Sequence, residues 1–250
     1  MVSESEKMNA PSPSGAFLRY EGEPIENFKT VRILFRKTGS LQYISHLDLQ
    51  RVMMRILVRA GIPMWYTQGF NPHMKVVFAR PLPVGVESEC ELMDLRISRD
   101  VPPEEILRRL NVALTDEMRA KDAYIPERKF EDIASCDYAI SIFSDRIHKE
   151  TGEAVENFLR TPGLKAVKKT GSGNKEVEIS KHIGRMNVIS GEDKLEIYVN
   201  LPAAQDQASL SPLLICQLLF EKFGWFSDHA DEDFRVVRLH MRDDRMREFK

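Results

Sequence analysis

Cysteine is scarce in this chain: three residues in 250, Cys90, Cys136 and Cys216, far apart in sequence. No CxxC or CxxxCxxC spacing joins them, which excludes a zinc ribbon or a cysteine-held iron–sulfur cluster within the chain. Buried structural thiols in a reducing compartment are expected instead. Long apolar runs are missing as well. No stretch of about 18 apolar residues occurs, so no membrane contact is expected. The opening MVSESEKMNAPSPSGAF has neither the basic nor the apolar segment of a signal peptide, and a cytoplasmic location is the expectation. Neither sign of charge dominates: 36 Lys and Arg face 38 Asp and Glu, a net −2, so any nucleic-acid contact has to be a local patch. The six histidines show no HxH or HExxH spacing, so no metal site is expected. GxGxxG, GxxxxGK[ST] and GxSxG are all absent, which leaves no phosphate loop and no nucleophile elbow.

What is present reads as a globular protein, 42% apolar and 30% charged. Its length suits two domains of ordinary size. Residues 1–28, rich in Ser, Glu, Pro and Gly, are expected to be a disordered tail. In residues 29–130, Val31–Lys37 alternates as a strand. Ser45 and Asp48 make a capping-box-like start for a helix over 46–60, whose stripe of Leu49, Val52, Met53, Ile56, Leu57 and Ala60 follows the 3.6-residue period. Gly61 and Pro63 end it. Pro63–Thr67, Met74–Arg80 and Cys90–Ser98 follow as strands, then a helix over Pro102–Leu114 and a strand over Ala120–Arg128. The second half, 131–245, keeps the rhythm. Strands are expected at Ser135–Phe143, Leu164–Thr170, Lys175–Ser180, Met186–Ser190, Leu195–Asn200 and Phe234–Met241, with helices at Glu153–Arg160 and Ser211–Phe223. The fold expected is α+β, built from tandem ferredoxin-like units of the β-α-β-β-α-β type with antiparallel sheets.

Chemistry concentrates in two places. Opposite the apolar stripe of helix 46–60, Arg51, Arg55 and Arg59 recur every four residues and form one ridge. Three guanidinium groups in a row can grip phosphates, although a solvated face with an Asp48–Arg51 or Asp48–Arg55 ion pair is the plainer reading. His46, in the first turn, is a candidate base or ligand. The second place is the segment Gln68-Gly69-Phe70-Asn71-Pro72-His73-Met74-Lys75. Gly69 permits close approach of a ligand, and Asn71-Pro72 forms a turn. Gln68, Asn71, His73 and Lys75 supply amide, imidazole and ammonium groups, and Phe70 offers a face for stacking. Such an inventory suits a polar, planar or anionic ligand. A lesser feature is the basic run Lys165, Lys168, Lys169, Lys175, Lys181 and Arg185.

The block 31–91 carries a resemblance. F-x-K-x-G-x5-SHLD, R-x3-R, RAG-x-P, QGFNPH-x-K-x2-FA and LPVG-x2-S-x2-E, from Phe35 to Glu91, resemble the radical-SAM-linked family. Its members are bacterial domains of unknown function that occur alone or fused behind a radical SAM protein with a predicted B12-binding domain. The match is close across 31–98 and looser through 135–240. It implies a standalone, non-catalytic accessory or substrate-presenting partner of such a radical SAM enzyme, with RNA as a further candidate partner and no cofactor of its own. It adds Lys37 to the ligand-binding candidates, which are then Lys37, Ser45, His46, Asp48, Arg51, Arg55, Gln68, Gly69, Phe70, Asn71, His73 and Lys75. The alternative is an RNA-processing or RNA-modifying enzyme in which His46 is the catalytic base and Arg51 or Lys75 stabilises the phosphorane.

Overall fold

A computed structural model of the protein describes residues 24–68, 70–170, 173–203, 210–225 and 234–250. In chain order the elements are β1 (Pro24–Lys37), α1 (His46–Arg59), β2 (Val76–Phe78), β3 (Glu87–Arg99), α2 (Pro103–Ala113), β4 (Ala120–Tyr124), β5 (Ser135–Phe143), α3 (Thr151–Leu159), β6 (Lys165–Thr170), β7 (Gly173–Glu178), β8 (Met186–Ser190), β9 (Lys194–Pro202), α4 (Pro212–Phe223) and β10 (Phe234–Arg242). The fold is α+β: among the described residues, one large, mostly antiparallel sheet with four α-helices.

The sheet runs β4-β1-β3-β10-β5-β9-β8, with β2 added on β3, while β6 and β7 form a separate ribbon. The first half therefore has the order β4-β1-β3-β2, and the second repeats it as β10-β5-β9-β8. The halves meet where β10 pairs with β3, the one parallel contact among the described strands, with Val237 opposite Glu87 and Arg238 opposite Ser88. Farther along β3, β2 takes the same edge, Val76–Phe78 lying opposite Leu95–Met93.

Two-residue alternation explains how one sheet serves two cores. Val31, Ile33 and Phe35 of β1 join Met93, Leu95 and Ile97 of β3 beneath Leu49, Met53 and Leu57 of α1 and Ile106 and Leu110 of α2. Cys90 and Leu92 point the other way, into a second core with Ile140, Ile142, Leu195, Ile197, Val155 of α3 and Leu214, Ile215, Leu218 and Leu219 of α4. Helices α1 and α2 thus cover one face of the shared sheet, and α3 and α4 cover the opposite face of its other half. On α1 the spacing Leu49-Met53-Leu57 is one residue per turn along one side.

Several expected boundaries move. The tail expected over 1–28 lies outside the described residues up to 23, but Pro24–Phe28 open β1 instead of staying irregular. Pro63–Thr67 is not a strand: only the bridges Met64–Ile97 and Tyr66–Met74 remain, since Pro63 has no N–H to donate and the chain is about to turn. Met74–Arg80 shortens to Val76–Phe78: Ala79 still donates to the Leu92 carbonyl, and Pro81 has no N–H to carry the pairing on. The strand expected over Ala120–Arg128 ends at Tyr124, one residue before the Ile125-Pro126 step, where proline removes the next donor. No helix among the described residues is long and apolar enough to cross a membrane.

Candidate functional site

Local chemistry orders the start of α1. Ser45 is its N-cap: the Asp48 backbone N–H donates to Ser45 Oγ at 3.2 Å, satisfying one of the four donors that a helix start leaves open. Ser45 Oγ in turn donates to Asp48 Oδ2 at 2.7 Å, and Arg51 donates to Asp48 Oδ1 at 3.0 Å. The Ser45 hydroxyl and then the Arg51 guanidinium hold the Asp48 carboxyl below its usual range. His46 is half-buried. Its Nε2 lies 3.0 Å from the Gln50 side-chain amide, and its ring stands edge-on to Phe78, centroids 5.5 Å apart. Phe78 meets Phe35 in the same T-shaped manner, so the imidazole is braced on an aromatic wall that continues into the core.

The arginine ridge divides into three roles. Arg51 serves Asp48. Arg59 donates to the Ala113 carbonyl at the end of α2, satisfying one of the acceptors left open there. Arg55 makes no hydrogen bond or ion pair with the described residues. It hangs with Arg59 over a cleft of about 320 Å³ whose floor is apolar: Leu41, Val52, Ile56, Ala113 and Met118.

Residues 64–76 form an irregular hairpin. Thr67 N–H donates to the His73 carbonyl at 3.0 Å, and His73 N–H donates to Thr67 Oγ1 at 3.1 Å. His73 Nδ1 lies 3.0 Å from Thr67 Oγ1 and 3.3 Å from the Asn71 carbonyl. A carbonyl only accepts, so this geometry favours the tautomer with the proton on Nδ1 and leaves Nε2 open. The Thr67–His73 clasp closes the base of the tip. Beyond it Gln68, Phe70 and Asn71 are exposed, Phe70 fully, and neither side-chain amide is bonded to a described residue. Gly69 lies outside the described residues. Lys75 is half-buried, and its backbone joins Trp65 on one side and Arg96 on the other.

Most of these candidates fall into two groups. Ser45, His46, Asp48, Arg51 and Arg55 lie at the cap and along α1; Gln68, Phe70, Asn71 and His73 share the hairpin; His46 on Phe78 links the helix to the strand that follows the hairpin. Lys37 is elsewhere, 1% exposed at the end of β1. Its ammonium donates to the Gln42 carbonyl at 3.3 Å. Burial pushes it below the lysine range, opposed by the carboxylates of Glu91 and Glu87 and aided by Arg238.

Sequence reasoning missed the seam around Lys37. Arg238, 2% exposed, donates to Glu91 Oε1 at 3.0 Å, to the Arg80 and Pro81 carbonyls at 3.1 and 3.0 Å, and to the Tyr138 hydroxyl at 3.3 Å. Glu87 accepts from the Gly39 N–H at 3.2 Å and from Arg235 at 3.1 Å. The acidic side was visible in the LPVG-x2-S-x2-E motif; the arginines lie some 150 residues away, and no local pattern points to them. The three cysteines are free and buried. Among the described residues no group of three or more His, Cys, Asp or Glu is gathered to hold a metal ion. Residues 30–212 match a family model described as an uncharacterized protein conserved in bacteria (DUF2344). No curated protein matches the chain.

Proposed function

The chain belongs to this DUF2344 family of uncharacterized bacterial proteins, and from that premise we propose that it is a non-catalytic accessory or substrate-presenting partner of a radical SAM enzyme. The carrying observation is the hairpin tip. A fully exposed phenylalanine, flanked by the unbonded amides of Gln68 and Asn71, stands on a base clasped by Thr67 and His73. An exposed aromatic side chain is the kind of group that anchors an interface. The likeness of Phe35–Glu91 to the radical-SAM-linked family supplies the kind of partner, and a cytoplasmic setting fits it. The strand order that recurs in both halves supports reading 29–130 and 131–245 as tandem ferredoxin-like units. The test is anaerobic affinity purification from the native cells. Wild type should retain an iron–sulfur protein and Phe70→Ala should lose it, with thermal stability unchanged. Retention of no iron–sulfur protein by wild type sinks the proposal.

A second reading, RNA processing with His46 as general base, is favoured by one observation: Arg55, which bonds none of the described residues, stands on the same helix. Labelled RNA should then be cut by wild type and spared by His46→Ala; RNA left intact by both rejects this reading.

A further inference from the structure

On one face of the second half of the sheet no helix of the described residues packs. On β5 and β9 the residues Ile140, Ile142, Leu195, Ile197 and Val199 point into the core under α3 and α4. Their neighbours point the other way, and there Ala139 lies opposite Tyr198, and Tyr198 opposite Asn187. The row is an alanine, a tyrosine and an asparagine side by side. Because Ala139 is small, the Tyr198 ring stands clear of its neighbour, 40% exposed.

Two residues farther along β5 and β9, on the same face, Asp137 lies opposite Asn200. A cleft of about 260 Å³ opens between the two rows, lined by Asp137, Arg185, Asn187, Tyr198, Asn200 and His240. At Asn200 it adjoins a second cleft of about 300 Å³ that continues past Gly184 to His182 and Lys181. Together they make a trough across the strand ends. Its acids are largely taken up. Asp137 accepts from Arg242 at 2.6 Å and from Asn200 at 2.7 Å, and Asp243 accepts from Arg128 at 3.0 Å and Arg247 at 2.8 Å. Asp244, at the far end, is the exception. Lys181 is tied to Glu178 at 2.7 Å. Arg185 and Asn187 are exposed and bonded to no described side chain, so the trough offers an aromatic face, an amide with both donor and acceptor, and an unneutralised guanidinium within a few residues.

We propose that this trough binds a single-stranded polynucleotide, with one base stacked on Tyr198, its edge read by Asn187 and a neighbouring phosphate held by Arg185. A base has a flat apolar face and a polar edge, and a strand carries a phosphate at every step; the three side chains match those features in turn. A duplex hides its faces and does not fit. The inference is independent of the radical SAM reading, which rests on the hairpin tip.

Fluorescence anisotropy with labelled 12-nucleotide RNA, DNA of the same sequence and the annealed duplex tests it on the full chain. Both single strands, or RNA alone, should bind better than the duplex; RNA alone would assign recognition of the 2′-hydroxyl, and both outcomes uphold the inference. Tyr198→Ala should weaken binding by about 5- to 150-fold, the range for one base stacked on one ring, while Tyr198→Phe, which keeps the ring, stays close to wild type. Arg185→Gln should lower the slope of log affinity on log salt by about 0.7, one phosphate contact on a single strand. Arg160→Gln, at the end of α3 and away from the trough, should change nothing. Circular dichroism confirms that each variant folds. The inference is overturned if neither single strand binds, if Tyr198→Ala binds as wild type, or if Arg160→Gln weakens binding as much as Tyr198→Ala does.

Discussion

Replacing Arg238 by methionine should do more damage than any other single change at the seam. The guanidinium is buried, and its removal leaves the 5%-exposed Glu91 carboxylate without its ion-pair partner and the Arg80 and Pro81 carbonyls without their donor. Breaking a buried pair from one side costs about 3–5 kcal/mol, a large part of the roughly 5–15 kcal/mol that holds a typical domain folded. At about 2–4 °C per kcal/mol for a chain of this size, the midpoint should fall by roughly 6–20 °C. The double variant Glu91→Met/Arg238→Met should recover most of that loss, because no charge is then stranded. Lys37 does not spoil the cycle: Glu91 favours its ammonium and Arg238 opposes it, so deleting both removes two opposed influences. Urea unfolding followed by circular dichroism, with calorimetry for the midpoints, measures all four proteins. A loss below about 1 kcal/mol for Arg238→Met, or a double variant no more stable than the single, refutes the reasoning.

Ser45→Ala removes the cap of α1 and should cost about 1 kcal/mol by urea unfolding; Ser45→Thr, which keeps an acceptor, should restore most of it. The Glu105 carboxyl is held down at about 2 by a hydrogen bond from Arg108 and then by Arg109. Its contribution is therefore complete above the ordinary value of 4.5 and fades as pH falls from there toward 2. The stability gap between wild type and Glu105→Gln should narrow over that window, and a gap that widens on acidification contradicts the assignment. Burial pushes the Cys216 thiol up to about 12 and raises Cys90 and Cys136 as well. A thiol reagent at neutral pH should label none of the three in the folded protein and all three in urea.

Much of this architecture could be read before any coordinates, for a physical reason. Wherever one side of an element is buried and the other is wet, the pattern of apolar residues records it. Ser135–Phe143 and Met186–Ser190 were both placed to the residue, and α1 begins at the Ser45 cap as its capping pattern requires. Failures came where structure depends on partners far along the chain. Nothing local in Pro63–Thr67 says that its neighbours offer only two bridges, and nothing in Phe234–Met241 says that β10 will lie beside β3. The hairpin tip was legible as unusual because polar and aromatic groups crowd a turn. Its Thr67–His73 clasp was not, since Thr67 looked like the end of a strand. The trough around Tyr198 was invisible for a different reason. Ala139, Arg185, Asn187 and Tyr198 belong to three strands and a loop, and only the pairing of β5, β9 and β8 brings them together.

Strand β10 has a consequence for how the molecule is made. It emerges after the other described strands during synthesis, yet it lies in the middle of the sheet, between β3 and β5. Until residues 234–242 have left the ribosome, the two halves each present an unpaired strand edge to the cell, β3 at Glu87 and Ser88 and β5 along most of its length. Bare edges of this kind invite pairing with other chains. A translation product that stops short of residue 234 would keep both edges and lose the guanidinium that Glu91 awaits. Such fragments should aggregate or be degraded rather than persist as a working first half. Closure of both halves thus waits on one strand, β10.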